Sequence, residues 1–363
     1  MEVLVTVAGV TGISTLLTVL IILAERFFNN YGTCQIDIND GAKVLEVEGG
    51  ASLLSTLSNQ KIFIPSACGG KATCGMCKLR VLEGADPLLP TEEPYLSQDE
   101  RAQDVRLSCQ VKIKRNLRIR IPDELFLVQE YKTKVARITQ KTHDIKEFRF
   151  ALDKPISFKA GQYMQVTTKP YGKVTETVWR AYSISSNPSD NEAVELIVRR
   201  VPQGICTTFM HDHVKEGDEI MLTGPYGDFY PRAEAKGYIM IAGGSGLAPM
   251  RAIVLDALER GIDKEMWFFF GAVTKKDLYY VDFFRELADK HPHFHYIPAL
   301  SGPLPEDNWD GQTGLITDVV ARNIGEADGL HGLLCGSPGM INACINVLKG
   351  KGLTDDRIFY DKF

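Results

Sequence analysis

Three cysteines within ten residues and a fourth on a distant segment restrict this chain more than any other feature. Cys68, Cys74, Cys77 and Cys109 are spaced C-x5-C-x2-C-x31-C, the first three inside CGGKATCGMC. A plant-type [2Fe-2S] cluster takes three thiolates from one tight loop and a fourth from elsewhere, close to the C-x4-C-x2-C…C rule; here the loop has one extra residue. Gly69, Gly70 and Gly75 let the backbone wrap a cluster and aim N–H groups at its sulfurs, which stabilises added negative charge and raises the reduction potential. Zinc, the alternative, usually takes two C-x2-C pairs, and only Cys74 and Cys77 form one. Eight cysteines in 363 residues are too sparse for a disulfide scaffold, and their clustering points to metal ligation in a reducing compartment.

The N-terminus has a second strong feature. Val3 to Ala24 carry no charge over 22 residues, about 33 Å as a helix against a hydrocarbon core of ~30 Å. No Lys or Arg precedes the run, and Glu25-Arg26-Phe27-Phe28 follows it in place of a small-residue cleavage site, so a retained transmembrane helix is expected rather than a signal peptide. Arg26 is the only flanking cation, and it places the bulk of the chain on the cytoplasmic side of an inner (plasma) membrane. Ala8, Thr11, Thr15 and Thr18 form a small-residue stripe suited to packing on other membrane helices, although a lone anchor fits equally well.

The remainder divides into three parts, as expected of a chain this long. Residues 33–48 read as two strands around an Asn39-Asp40-Gly41 turn, followed by a helical stretch at 51–57 and strands at 105–111 and 117–121, with a boundary at Pro122-Asp123-Glu124. From Lys132 to about Arg232, YMQVTT, VELIVRR and EIMLTG alternate between Gly and Pro, as in a small antiparallel barrel. From Lys236, YIMIAGG, MWFFFGA, HYIPAL and HGLLCG are short apolar strands separated by helical stretches at 249–260, 281–290 and 339–349, the alternation of a parallel α/β sheet. The expected fold is therefore multidomain: an anchor at 1–28, an α+β unit at 29–122, an antiparallel barrel at 123–232 and an α/β domain at 233–363. A net charge of −5 leaves no footprint for nucleic acid.

CGGKATCGMC, PLLPTEE, RLSCQVKI and IPDELF resemble the F-subunit family of sodium-pumping NADH:quinone oxidoreductases, over essentially the whole chain and including the C-x5-C spacing. That resemblance implies a β-grasp ferredoxin domain ahead of an FAD-binding barrel and an NAD-binding domain. Arg180-Ala181-Tyr182-Ser183 matches the R-x-Y-S motif of the ferredoxin-reductase family, which implies Arg180 on the FAD pyrophosphate, Tyr182 on the isoalloxazine and Ser183 near its N5. Gly204-Ile205-Cys206-Thr207-Thr208 resembles that family's second flavin motif; its N–H groups and the Thr207 hydroxyl would receive a pyrophosphate at a helix N-terminus. Taken singly, each motif also fits an ordinary strand end or capped turn, and their order within one barrel favours the joint reading.

Gly243-Gly244-Ser245-Gly246-Leu247-Ala248-Pro249-Met250 lies between a strand and a helix, where glycines and the helix dipole suit the pyrophosphate of a dinucleotide. Cys335-Gly336-Ser337-Pro338-Gly339-Met340 ends another strand, at the edge where open α/β sheets bind ligands. The resemblance implies that Cys335 lies beside the nicotinamide, that Thr223-Gly224-Pro225 leads toward it, and that the terminal aromatic, Phe363, covers the flavin until nicotinamide displaces it. It favours NADH, while Lys275 and Lys276 could attract a 2′-phosphate; relatives often carry Arg where this chain has Val273. His291, His293 and His295 alternate as if on one strand face, a metal pair in form, but lack a carboxylate or cysteine at useful spacing, so a solvated or packed face is expected. Cys34 and Cys344 have no partner by spacing and read as structural.

Nicotinamide releases two electrons as hydride and a [2Fe-2S] cluster accepts one, so a flavin is the required converter. The expectation is a membrane-anchored NADH dehydrogenase in which Ser183, Cys335 and Phe363 surround the reacting rings. Electrons pass from NADH to FAD to the cluster, and on to membrane subunits of a sodium-pumping quinone (ubiquinone) reductase. The rival is the reductase component of a multicomponent oxygenase, opposed by the N-terminal helix and the x5 spacing; the segment between Tyr163 and Arg180 is shorter than the family usually carries, which points to different docking or to a related complex that pumps nothing.

Overall fold

The computed structural model describes residues 11–19, 31–122, 125 and 128–362. Residues 11–19 are helical, and the Thr15 and Thr18 hydroxyls donate to the Thr11 and Ser14 carbonyls one turn back. Residues 3–10 and 20–24 of the expected membrane span, with Ala8 of its small-residue stripe, lie outside the described residues. Among the described residues no helix is long and apolar enough to cross a membrane. The chain forms two compact units, the first ending at Val128 and the second beginning at Gln129.

The first unit is a five-stranded sheet in the order β2-β1-β5-β3-β4. Strands β1 (Thr33–Ile38) and β2 (Lys43–Glu48) form the expected hairpin. Asn39 and Asp40 take positive φ of 53° and 55°, the twist a tight hairpin turn requires, and Asp37 Oδ1 accepts the Gly41 N–H at 2.6 Å. Helix α1 (Leu53–Asn59) is capped by Ser52, whose hydroxyl accepts from Ser55 N, and it lays Leu53, Leu54 and Leu57 on the sheet core of Ile36, Ile38, Leu107 and Ile119. Strand β3 (Lys78–Glu83) and the short helix α2 (Gln98–Ala102), capped reciprocally by Ser97 and Glu100, have no counterpart in the pattern reading. The strand expected at 105–111 stops early, as β4 (Val105–Leu107). There Ser108 N donates to Cys77 O and Gln110 N to Leu107 O, a turn that brings Cys109 back toward the cysteine loop. Strand β5 (Leu117–Arg120) runs parallel to β1 and closes the sheet.

The second unit begins with six antiparallel strands, β6 (Gln129–Gln140), β7 (Ile145–Leu152), β8 (Tyr163–Thr167), β9 (Trp179–Ser183), β10 (Ala193–Arg199) and β11 (Glu219–Tyr226). Their order is β10-β7-β6-β11-β8-β9, and a bridge from Ile184 to Leu196 joins the two ends into a nearly closed barrel. Phe148, Phe150, Met164, Val166, Leu196 and Leu222 fill it.

Six parallel strands follow, β12 (Gly237–Gly243), β13 (Glu265–Ala272), β14 (Phe294–Leu300), β15 (Gln312–Thr313), β16 (Leu330–Gly336) and β17 (Ile358–Lys362), in the order β15-β14-β13-β12-β16-β17. Met240, Ala242, Phe268 and Phe270 face a core shared with residues of α4 (Leu247–Glu259) and α5 (Val281–Lys290), the first helices after the short α3 (Ile205–Thr208). Ile239, Ile241 and Phe269 face residues of α6 (Ile316–Asn323) and α7 (Pro338–Gly350) instead. Helices on both faces explain why MWFFF and YIMIA are apolar without alternation.

Candidate functional site

The four cysteine thiols of the first unit stand two by two. Cys68 and Cys74 sulfurs are 3.4 Å apart, and the Cys77 and Cys109 thiols lie close enough to interact. Gly75, at φ 67°, permits the loop to turn beneath Tyr95, whose ring lies 2.7 Å from where a Cβ would project. Burial would raise the Cys68 thiol, but hydrogen bonds from Thr73, Cys74 and the Lys71 backbone bring it down to about 6. Its interaction with Cys77 leads in lowering Cys109 to about 7, while Cys74 is raised by burial and Cys77 by its interaction with Cys109 and by burial. Each pair therefore holds one thiol poised to ionise against one that keeps its proton, and iron would take that proton's place. Among the described residues no three His, Cys, Asp or Glu side chains converge on one ion. Two pairs of thiolates suit a two-iron cluster better than a single tetrahedral metal.

Behind the four cysteines is a residue that motif reading missed. Glu92 is fully buried and accepts from Arg106 Nε at 3.0 Å and Nη2 at 2.5 Å, and from the N–H groups of Leu107 and Leu89 at 3.0 and 3.1 Å. It therefore fixes β4, the strand that delivers Cys109.

In the barrel, Arg180 and Tyr182 project from the same face of β9, and Ser183 ends the strand opposite Tyr163. The Tyr182 hydroxyl lies beside the buried Cys206 thiol, with Arg180 near enough to act on both electrostatically. The structure thus brings the two flavin motifs together. Helix α3 is shorter than expected: after Thr208 it widens into a π turn, Phe209–His213. The Thr207 hydroxyl bonds within its own loop, accepting from Val201 N at 3.2 Å and donating to Val201 O or Gly204 O at 3.3 Å. Thr223 is buried in β11, and a Cβ on Gly224 would strike Met164 Sδ at 2.5 Å, so this segment lies tight against β8.

The third site forms where β12 has β13 on one side and β16 on the other, the crevice at which open α/β sheets take ligands. A Cβ on Gly246 would lie 2.1 Å from Cys335 O, and the Met340 sulfur lies 2.9 Å from where Gly243 would carry one. Gly243, Gly246, Cys335, Gly336 and Met340, two motifs far apart in sequence, therefore share one wall. Pro249 is buried in the first turn of α4, Pro338 opens α7, and Gly244 O accepts from Tyr279 Oη at 2.8 Å. Burial holds the Cys335 thiol well above its usual range, reinforced by Asp361 across the strand pair. Asp361 is itself pushed up to about 6 by burial and by Asp228. Phe363 lies outside the described residues.

The histidines do not share a strand face. His291 follows α5 and His293 sits in the turn, so that only His295 lies in β14, where it pairs with Glu265 at 2.7 Å and stacks on Trp267. Lys275 and Lys276 are exposed, Lys275 donating to Asp307 O at 2.8 Å, and Val273 is exposed beside them. Cys34 is buried, and Cys344 sits in the α7 core with its thiol raised to about 12 by burial.

Three family models match in chain order: the 2Fe-2S iron-sulfur cluster binding domain over residues 32–114, the oxidoreductase FAD-binding domain over 132–230 and the oxidoreductase NAD-binding domain over 240–345. The chain is 34% identical over 405 positions to the F subunit of the Na(+)-translocating NADH-quinone reductase of Neisseria meningitidis serogroup C, covering all of both chains. It is also 34% identical over 406 positions to the corresponding F subunit of Histophilus somni, again over both full lengths. Alignments longer than the chain mean that these relatives carry residues it lacks. Among solved structures it resembles the Amycolatopsis cytochrome P450 reductase GcoB, with TM-score 0.74 and 29% identity over 91% of this chain and 99% of that one. The ferredoxin reductase of a carbazole 1,9a-dioxygenase follows, with TM-score 0.70 and 26% identity over 92% and 98%.

Proposed function

Since the chain belongs to the family of Na(+)-translocating NADH-quinone reductase F subunits, we propose which of its residues carry that family's electron transfer. The protein is a flavin- and iron-sulfur-dependent NADH:quinone oxidoreductase component with NAD-, FAD- and 2Fe-2S-binding domains, in which electrons run from NADH to FAD to the cluster. When bound, the flavin converts a hydride pair into single electrons that the cluster can take.

Residues 29–122 form the ferredoxin domain, 123–232 the FAD domain and 233–363 the NAD domain. Cys68 with Cys74, and Cys77 with Cys109, are the two thiolate pairs for the irons. Arg180, Gly204, Cys206, Thr207, Thr223 and Gly224 hold FAD, with Tyr182 against the ring and Ser183 at its reacting edge. Gly243, Gly244, Gly246 and Pro249 take the NADH pyrophosphate, while Cys335, Gly336, Pro338 and Met340 wall the nicotinamide and Phe363 covers the flavin in its absence. Positioning, with no acid or base, suffices for hydride transfer. Residues 1–28 anchor the chain as a single-pass helix in the inner membrane, with the bulk on the cytoplasmic side, where it hands electrons to integral-membrane subunits.

The observation that supports this reading most is the meeting, within one folded unit, of Tyr182 with Cys206 and of Gly246 with Cys335. The test is to purify the full chain in detergent, record its visible spectrum and add NADH anaerobically, with NADPH as control. Rapid bleaching of flavin and cluster bands by NADH is expected. Cluster absorbance without flavin, or flavin that NADH leaves oxidised, would overturn the assignment. The likeness to oxygenase reductases supports the second reading, which reduction of a soluble hydroxylase in place of quinone would favour.

A further inference from the structure

Two carboxylates are buried in the barrel wall but turned away from its core. Glu147 on β7 and Glu195 on β10 are 2% and 4% exposed. They lie on the same face as Ile145 and Ile197, which join the core containing Met250, Ile253 and Val254 of α4. Each carboxylate takes a partner from the parallel-sheet side. Arg251, in the second turn of α4, donates through Nη1 to Glu195 Oε2 at 2.7 Å and to Ser185 O at 2.8 Å. Tyr280 Oη donates to Glu147 Oε2 at 2.6 Å, and the Arg251 guanidinium lies 4.9 Å from the centre of the Tyr280 ring.

Both partners lead back to the glycine loop. Arg251 belongs to the helix that this loop opens, and Tyr279, next to Tyr280, donates to Gly244 O. Tyr280 has φ 61°, a conformation costly to a non-glycine residue that persists where the surroundings over-determine it. On the barrel side, Ser185 follows Ser183 by two residues and is tied to Glu195, its N–H and hydroxyl both donating to Glu195 O at 2.8 and 3.1 Å.

We propose that Arg251 and Tyr280 are positioning residues for hydride transfer: through Glu195, Ser185 and Glu147 they hold the loop Gly243–Gly246 in fixed register with the end of β9 and Ser183. This rests on the assignment of FAD to β9 and of NADH to that loop. A misplacement of about 1 Å between reacting atoms can cost about a hundredfold in rate, so the clamp acts on the chemical step more than on affinity.

The test uses the full chain carrying both cofactors, mixed anaerobically with NADH and with NADH deuterated at C4, for the parent, Arg251→Gln, Arg251→Lys and Tyr280→Phe. In Arg251→Gln the limiting rate of flavin reduction should fall about ten- to hundredfold, with the deuterium isotope effect raised and long-wavelength NADH–flavin absorbance diminished. The NADH dissociation constant should stay within about threefold, the signature of an interaction made chiefly in the transition state. Arg251→Lys should recover part of the rate, and Tyr280→Phe, which removes one hydroxyl, should lose several-fold. Hydrogen exchange on the flavin-free protein should show faster exchange at residues 184–186 in Arg251→Gln. A folded, FAD-loaded Arg251→Gln with the parent's limiting rate, or with only its NADH affinity changed, would overturn the proposal. Should that variant not fold, an undiminished rate in Tyr280→Phe overturns it. A parent that NADH cannot reduce would sink the cofactor assignment instead, and unchanged exchange at 184–186 would sink the clamp in either case.

Discussion

Glu92 holds a full negative charge with no exposed surface, which is tolerable only because Arg106 and two backbone N–H groups surround it. Burial alone would raise its carboxyl, and these donors hold it below the usual range. Glu92→Gln is expected to destabilise the ferredoxin unit by about 3–5 kcal/mol, since it strands Arg106, and to reduce cluster content. Denaturant unfolding and cluster absorbance would check this; a variant with the parent's midpoint and a full cluster contradicts it. In the second unit, Gly246→Ala places a methyl 2.1 Å from Cys335 O. Overpacking of this kind costs about 1–3 kcal/mol, and if it falls on the bound state NADH affinity drops about tenfold or more. Flavin content should be unchanged, which titration of the FAD-loaded variant would reveal. The four cysteines were legible as candidate ligands because cluster spacing is a local property of the chain. Glu92 was not: nothing in PLLPTEE separates it from Glu93, and its partner arrives only when β4 folds over it.

Among the elements, the π turn Phe209–His213 caps the barrel with a buried imidazole that contacts Val198 O at 3.0 Å. Burial, aided by Lys146 and Arg200, lowers the His211 pKa below its ordinary 6.5. The unfolded chain therefore binds a proton more readily than the folded one, and stability falls as pH drops below 6.5 toward the lower folded value. Urea midpoints between pH 7.5 and 5.5 should reveal this as a difference in slope, the parent losing more, or gaining less, than His211→Gln as pH falls; equal slopes would refute it. Four of the six parallel strands and three of the helices flanking them were legible from runs such as YIMIA and MWFFF, because a sheet covered on both faces abandons alternation, whereas β15 and β17 were not. Strand order was not legible, since β16 joins β12 across three intervening strands and three helices. The adjacency of Gly246 and Cys335 follows from that order, so each motif announced a ligand while their common wall stayed hidden.

At the scale of the molecule, the division after Val128 separates the core built on Ile36, Leu53 and Ile119 from three others that lie wholly beyond residue 129. Residues 129–363 produced alone should fold, retain FAD and be bleached by NADH. The complementary piece, residues 31–128, should carry a cluster that NADH leaves untouched until the two are mixed. Visible spectra of the separate and combined pieces would check this; loss of flavin from the 129–363 piece counts against independent folding. The strand order also bears on how the chain is made. A ribosome releases every strand of the barrel before β12, and β12 to β15 before β16, so a growing chain completes the flavin motifs well before Cys335 supplies the last wall of the nucleotide crevice. On the assignment proposed above, the half-made protein would have its flavin residues in place before its nucleotide crevice. An unfinished chain that cannot be charged by NADH has no electrons to lose to oxygen while its intended acceptor is still absent.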